Sequence, residues 1–245
     1  MHFDLPKPLH GWREFAGEVG IIVLGVLIAL GAEALFQSWQ WHRRADEGRE
    51  RLRAEVGHAF VVAEERVATE QCIDEQLGKI EDAVLASGTS MRSLPLYRES
   101  GEANIAYVFR TPSRIWPDSA WQSVIAEGLL AHLKPDERKW LPVHYSEMTR
   151  LDLLNTEENA AVGDLAALWK PLPLDAQTKS SFVRVIEQER HRNQAFASIS
   201  RQMMKMIRDL GYTPSNADRR KWLEDSGTIN FCRSHGFIAP ENERP

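Results

Sequence analysis

The sequence lacks the compact motifs that identify many enzyme families. It has no glycine-rich phosphate loop ending in Lys-Ser or Lys-Thr, no G-x-S-x-G turn and no H-E-x-x-H zinc motif. The nearest approach to the Glu-x-x-His pairs of helical di-iron proteins is Gln188-x-x-His191, where an amide replaces the essential carboxylate. The sequence therefore predicts no cofactor and no particular catalytic activity.

An excess of basic residues is also absent. The chain has 30 Lys and Arg against 35 Asp and Glu, a formal net charge of -5, whereas nucleic-acid binding needs a basic face. Internal repeats and low-complexity segments are missing too, and Tyr107-Val108-Phe109 is the only strand candidate. Hydrophobic residues make up 43% and charged residues 27% of the chain. These percentages are typical of a globular protein. The net negative charge, in turn, predicts no nucleic-acid partner.

Long apolar runs are missing except near the N-terminus. Residues 19–32 carry no charge, and Glu18 and Glu33 bracket them at a separation of about 22 Å along a helix. The wider segment 15–38 reaches the roughly 20 residues that span a bilayer. Tryptophan and arginine flank it on both sides, as at the two surfaces of a membrane: Trp12, Arg13, Trp39, Trp41, Arg43 and Arg44. The sequence predicts a transmembrane helix over 15–38, with the lipid bilayer as partner.

Two alternatives exist for this segment. A buried core helix is less favoured, because both flanks match a membrane anchor. A cleaved signal peptide is suggested by the small-x-small sequence at residues 32–34. However, the preceding leader is long and contains Asp4, Glu14 and Glu18, which favours an uncleaved anchor.

The anchor carries a resemblance. Residues 17–33, GEVGIIVLGVLIALGAE, followed by Trp39 and Trp41, resemble the anchor of a group of uncharacterised bacterial single-pass membrane proteins. Trp121-Gln122-Ser123 with Gly128 is similar to the same group. The resemblance covers residues 11–41 and, weakly, 111–130. It implies a bacterial inner-membrane location and brings no activity with it.

The side of the membrane is open to two interpretations. Lys7 and Arg13 precede the segment and five arginines follow it within residues 43–53, which favours a cytoplasmic domain. Long C-terminal domains, however, can cross largely regardless of charge. Cys72 and Cys232 permit one disulfide in an oxidising compartment, or are two buried thiols. The resemblance favours a periplasmic domain.

Helical spacing dominates the rest of the chain. Apolar residues recur every three or four positions in a juxtamembrane helix over 39–86 and in helices that follow an irregular connection at 87–118. Asp118 or Ser119 can cap the helix that begins there and ends near Leu133. The bundle region 119–211 includes a hairpin of helices at 136–169 and 178–210, with Gly211 as a cap, and 212–245 is a C-terminal extension with a polar tail. The predicted fold is all-α: the transmembrane and juxtamembrane helix, then an antiparallel helical bundle.

Polar residues interrupt the apolar seams of this hairpin. If the turn at 170–177 folds it back, Glu158 faces Glu189 and Asn155 faces Asn193. Two buried carboxylates would share a proton, hold a cation or bind a basic side chain such as Arg192. This layer is the predicted ligand or metal site. The alternative is that it faces solvent or sets the helix register.

Two other sets of residues suggest contacts. Trp116 and Trp121 either line a pocket or bind a partner, or they fill the core. Gly25, Ala29 and Ala32 offer a small-residue face for association of membrane helices, either with a second copy or with another membrane protein.

These observations favour a membrane-anchored helical protein that acts by interaction, as a scaffold or accessory subunit. A sensory or ligand-binding domain that signals through a partner is the second hypothesis. An enzyme or metal site that uses Glu158 and Glu189 is the third.

Overall fold

One helix runs through the first third of the protein. The computed structural model describes residues 11–98 and 106–238, and helix α1 spans Trp12–Ala86, 75 residues or about 112 Å. No proline lies between its ends, so nothing removes a backbone hydrogen bond. The predicted transmembrane and juxtamembrane segments are therefore parts of the same helix.

Five further α-helices lie within the described residues. They are α2 (Ser119–Ala126), α3 (Pro135–Ala166), α4 (Ala176–Asp209), α5 (Asn216–Asp225) and α6 (Gly227–Ser234). Short 3-10 turns follow α2 at Leu129–His132 and α3 at Ala167–Trp169. The prediction of a mainly helical chain is confirmed.

Some boundaries differ from those predicted. The helix expected to reach Leu133 ends at Ala126, because Gly128 adopts a left-handed conformation with φ 71° before the 3-10 turn. Gly211, with φ 72°, follows α4 as predicted, and the Tyr212 N–H donates to the Ile207 carbonyl at 3.1 Å.

Four two-residue strands form two small antiparallel pairs. Strand β1 (Ser90–Met91) pairs with β4 (Leu172–Pro173), and β2 (Tyr97–Arg98) pairs with β3 (Ala106–Tyr107). The connection predicted as irregular therefore contains three short strands, and the strand candidate at 107–109 is a strand only at its first residue. Pairing between distant segments creates these strands, which local sequence does not reveal.

Helix α1 is the central packing element of the domain. Leu52, Val56 and Phe60 are fully buried in one apolar cluster, and Ile73 and Leu77 in another. Helices α2, α4, α5 and α6 pack on α1. Helix α3 contacts α1 through buried side chains, including the pairs Glu55–Tyr145 and Arg66–Glu158. The predicted juxtamembrane extension is thus surrounded by the rest of the domain.

Side-chain pairs define the directions of the long helices. Residue numbers rise together along α1 and α3 in the pairs Arg49–Glu137, Glu55–Tyr145 and Arg66–Glu158. They run in opposite senses along α1 and α4, where Phe60 lies beside Arg208 and Asp74 beside Arg190. Because α3 runs in the same direction as α1 and α4 in the opposite one, α3 and α4 run in opposite directions, and Arg192 of α4 pairs with Glu157 of α3 at 3.3 Å.

The C-terminal segment is attached to α1. Cys72 and Cys232, the pair for which the sequence permits a disulfide, are bonded in the structure and join α1 to α6 across 160 residues of chain. Phe231 and Phe237 pack in the same small cluster. Residues 212–238 therefore form part of the domain rather than an extension from it; the predicted polar tail from Pro240 lies outside the described residues.

None of the residues that the structure describes covers the apolar part of α1. Its most apolar 18-residue window has mean hydropathy 2.5, and none of that window is buried. By length and composition, α1 is apolar enough to cross a membrane. The first buried residue along α1 is Ala45, so domain packing starts only after the apolar segment ends. A core helix would be covered by other elements, whereas no element within residues 11–98 and 106–238 covers this segment.

Candidate functional site

The structure brings Glu158 and Glu189 together in a buried layer. Glu158 lies on α3 and Glu189 on α4, both are 0% exposed, and the Glu158 carboxylate is close enough to raise the pKa of Glu189. The antiparallel arrangement of α3 and α4 produces this meeting, as the seam pattern predicts. The layer is inside the protein and does not face solvent.

Arg66 of α1 is the direct partner of Glu158. Its Nη1 donates to Glu158 Oε2 at 3.0 Å, and its Nη2 donates to Oε1. The guanidinium carbon lies 4.0 Å from the centre of the Phe196 ring, so one face of the cation rests on an aromatic face. A buried two-point pair of this kind fixes both position and orientation. Sequence reasoning missed Arg66.

Arg192 is the partner of Glu189, one helical turn away on α4. Its Nη1 donates to Glu189 Oε2, while Oε1 is buried without a hydrogen-bond donor among the described residues. Burial, and then the Glu158 carboxylate, raise the pKa of Glu189 to about 7, although Arg192 and Arg66 act in the opposite direction. A proton on Glu189 supplies an O–H donor, and Glu158 is the acceptor beside it.

Asn193, which is predicted to face Asn155, makes its side-chain hydrogen bond to α1. Asn193 is buried, and its Nδ2 donates to the Glu70 carbonyl oxygen of α1 at 2.9 Å. Asn155 is half-buried, and no hydrogen bond joins it to Asn193 within the residues that the structure describes. The prediction considered only two helices, whereas α1 is a third neighbour that takes the bond from Asn193.

The layer is chemically suited to ion pairing and proton binding. Two guanidinium groups already contact the two carboxylates, so a metal cation there would meet positive charge. Across residues 11–98 and 106–238, no group of three or more His, Cys, Asp and Glu side chains is arranged to hold a metal ion. Of the three predicted uses of the layer, the geometry favours a basic partner and a shared proton.

No known protein family, curated protein or solved structure matches this chain.

Other buried polar groups of α1 attach separate parts of the chain. Glu55 Oε2 accepts from the Ala120 N–H at 2.8 Å, and Oε1 accepts from the Tyr145 hydroxyl at 2.7 Å. Gln76 makes two hydrogen bonds to the backbone of Arg110, each of 3.0 Å. Sequence reasoning missed Glu55 and Gln76, which interrupt no apolar seam. The five consecutive small and apolar residues at 59–63 could have indicated that α1 is buried on several sides, so that polar residues outside the apolar seam can also be internal.

His144 is a buried histidine with no hydrogen-bond partner for either ring nitrogen among the described residues. Burial lowers its pKa to about 4, so the ring is neutral at neutral pH. The Tyr145 ring lies edge-on to it, with the ring centres 5.2 Å apart. His144 is therefore a packing residue whose charging would destabilise the fold.

The two predicted tryptophans lie at the main core. Trp121 is 8% exposed, and its ring stacks on Tyr145 with the centres 4.8 Å apart. Trp116 is half-buried against the same cluster. These contacts agree with the interpretation of Trp121 as a core residue.

The structure also contains surface cavities. One has a volume of about 280 Å³ and lies between the connection before α2 and the start of α6, beside Ser113, Asn159 and Thr228. A wider groove of about 490 Å³ is lined by residues that include His58, Tyr212 and Trp222.

The small residues of the apolar segment lie on an open surface. Gly25, Ala29 and Ala32 are exposed, and a side chain added at Gly25 would meet nothing within 4 Å.

Proposed function

We propose that the protein is anchored by α1 in the bacterial inner membrane and holds a helical bundle against the membrane for interaction with other proteins, as a scaffold or accessory subunit. One observation carries the proposal. The same uninterrupted helix includes the uncovered apolar segment 15–38 and, from Ala45 onward, the centre of the domain core. Anchor and domain are therefore one mechanical unit.

Exposure of the apolar segment supports the bilayer as its environment. Ile21, Leu24, Leu27 and Ile28 are all more than half exposed. Apolar surface in water costs about 25 cal/mol per Å², so a contiguous face of this kind requires a cover. Lipid covers all sides of the helix at once, whereas a single partner helix would cover only one.

The disulfide supports a periplasmic domain. The Cys72–Cys232 bond joins two fully buried residues, and such bonds persist in oxidising compartments such as the bacterial periplasm. The arginines at 43–53 favour the opposite orientation, but a long C-terminal domain is weakly governed by the charge rule.

A membrane fractionation tests the anchor. Full-length protein should sediment with membranes, resist extraction by high salt and dissolve only in detergent, and its intact mass should show that residues 1–38 remain. Full-length protein that stays in the supernatant of a detergent-free lysate would contradict the proposal. Loss of the first residues would instead identify a cleaved signal peptide.

Self-association within the membrane is tested by substitution on the small-residue face. Gly25→Leu should reduce crosslinking between copies in membranes, because its larger side chain separates the helix backbones. Gly31→Leu, on another side of α1, is the matched control. Equal crosslinking of Gly25→Leu and the parent protein would exclude self-association through this face.

A sensory role is the second candidate, and the buried acid pair favours it. Glu189 has a pKa of about 7 and neighbours Arg66, which lies on the helix that enters the membrane. Proton binding would then change the balance of charge beside α1. Glu189→Gln should make any partner binding by the full-length protein independent of pH between 6 and 8 (about one pH unit on each side of this pKa). Unchanged pH dependence would exclude this role for Glu189.

A further inference from the structure

We infer that the domain rests directly on the lipid headgroups through a basic, aromatic base, and that this base prefers anionic lipids. The membrane-proximal base consists of Trp41, Arg43, Arg44, His132 and Lys134. The inference rests on the proposed membrane anchor, and it names anionic lipid headgroups as the partner of this base.

Helix continuity places the base close to the bilayer. Because α1 is unbroken, each residue past position 38 adds about 1.5 Å of height along its axis. Trp41 therefore lies about 5 Å above the end of the apolar segment, and Ala45 about 10 Å above it. The headgroup layer on each side of the hydrocarbon core is about 5–8 Å thick. No spacer separates the domain from the membrane.

A second part of the chain reaches the same level. The 3-10 turn after α2 approaches α1 closely at Gly48, where an added Cβ would lie 2.9 Å from Leu129 Cδ1. This approach brings the His132 ring onto the Trp41 ring, with the centres 4.7 Å apart and the planes at 11°. The base is thus a surface built from two segments rather than the side of one helix.

The charge of the base suits anionic headgroups. Arg43 and Arg44 lie over the Trp39 and Trp41 rings at 5.1 and 5.7 Å, and both are exposed. Arg43 has one acidic neighbour, Glu47 at 3.6 Å. The ion pairs of the described residues do not involve Arg44.

Lys134 adds a third cation from the second segment. It is exposed and takes part in none of the ion pairs of the described residues, although Asp136 follows it on the surface. Tryptophan and arginine at this depth place their apolar parts toward the hydrocarbon and their polar groups toward phosphate. A protein partner would have to displace the lipid that surrounds the adjoining apolar segment.

Site-directed fluorescence quenching tests the position of the base. Both native cysteines are in the disulfide, so a cysteine introduced by His132→Cys carries a fluorophore alone. The labelled full-length protein is placed in phosphatidylcholine vesicles that contain lipids with a quencher at the headgroup. Gln177→Cys is the control, because the start of α4 lies beside Ser87, about 73 Å above residue 38.

The label at position 132 should be strongly quenched and the label at 177 should not. Equal, weak quenching at both positions in protein that floats with the vesicles would overturn the inference and leave the anchor intact. Protein that fails to float with the vesicles would overturn both the anchor and the inference. If a protein partner rather than lipid covers the base, quenching of the label at position 132 should become weak only after that partner is added to the vesicles.

Lipid preference is tested by moving the quencher. Phosphatidylglycerol that carries the quencher should act on the 132 label at least about twofold more strongly than phosphatidylcholine that carries it. Arg44→Gln with Lys134→Gln should abolish the difference, whereas Lys170→Gln with Arg184→Gln, at exposed sites outside the base, should retain it. Equal quenching by the two lipids in the parent protein would overturn the anionic preference.

Discussion

At the scale of single residues, burial shifts the pKa values of Glu189 and His144 in opposite directions, because it disfavours the charged form of each. The pKa of Glu189 rises from 4.5 to about 7, so its stabilisation is complete below pH 4.5 and is lost as pH rises toward 7. The pKa of His144 falls from 6.5 to about 4, so its stabilisation is present above pH 6.5 and is lost as pH falls toward 4. Between pH 4.5 and 6.5 the two effects oppose each other.

Two substitutions should separate these effects. In Glu189→Gln, the Tm should fall by several degrees as pH is lowered from 6.5 to 4.5, because only the His144 contribution remains. In His144→Leu, the Tm should fall as pH rises from 4.5 to 7. Thermal unfolding of the full-length protein in detergent, followed by circular dichroism, measures both. Glu50→Gln, at an exposed site, is the control, and identical pH profiles in all three variants would contradict the assignment.

Glu55 should be a large single contributor to stability. It accepts hydrogen bonds at the start of α2, whose own N-cap residue, Asp118, makes no capping hydrogen bond through its side chain. Glu55→Ala should lower the free energy of unfolding by roughly 2–4 kcal/mol, because buried N–H and hydroxyl donors lose their acceptor. Urea unfolding measures the change. Glu50→Ala, five residues earlier on α1 and exposed, should change it by less than about 0.5 kcal/mol.

At the scale of elements, α1 remains helical through several glycines, although glycine has a low helix propensity. Gly78 has open space around its Cα, and an added Cβ would meet nothing within 4 Å. Gly48 instead lies against Leu129 and Val124 of the α2 region. The first glycine therefore costs helix stability without a packing role, whereas the second permits a close approach.

Opposite effects should follow from substituting these two glycines. Gly78→Ala should raise the free energy of unfolding by about 1 kcal/mol through helix propensity. Gly48→Leu should lower it by about 1–3 kcal/mol, because the larger side chain displaces a buried leucine. Urea unfolding compares the two variants. A stabilised Gly48→Leu protein would show that α2 and its 3-10 turn do not pack on α1 as described.

At the scale of the whole molecule, the disulfide joins α6 to the C-terminal part of α1. It closes a loop of 160 residues, so it restricts the unfolded chain strongly. It also holds residues 212–238 against α1 near the centre of the domain.

Removal of the disulfide should destabilise the C-terminal segment first. The double variant Cys72→Ser with Cys232→Ser should lose roughly 3–5 kcal/mol of unfolding free energy. Limited proteolysis followed by mass spectrometry should show cleavage after residue 211 before the rest of the domain is cut. Simultaneous loss of all segments would indicate that the bond does not hold this segment separately.

The same bond allows a test of the proposed periplasmic location. Whole cells are quenched with acid, and the denatured protein is then treated with an alkylating reagent. If the domain is periplasmic, Cys72 and Cys232 should remain unalkylated unless a reductant is added first. Full alkylation without a reductant would place the domain in a reducing compartment.

The helices were predictable because their signals are local. Apolar residues at helical spacing, prolines at the turns and Gly211 after α4 indicate where the long helices begin and end. The facing of Glu158 and Glu189 was predictable for the same reason, because two seams joined by a short turn set their own register. The apolar segment 15–38 needed only its composition to be recognised.

Tertiary packing decided what surrounds each helix. Arg66, Glu55 and Gln76 have the character of surface residues in the sequence, and only the enclosure of α1 by the other helices makes them internal partners. The same enclosure turned Asn193 toward α1 and away from Asn155. Periodicity reports one buried face per helix, whereas a central helix has several, so its buried charges become visible only when their partners from distant parts of the chain are in place.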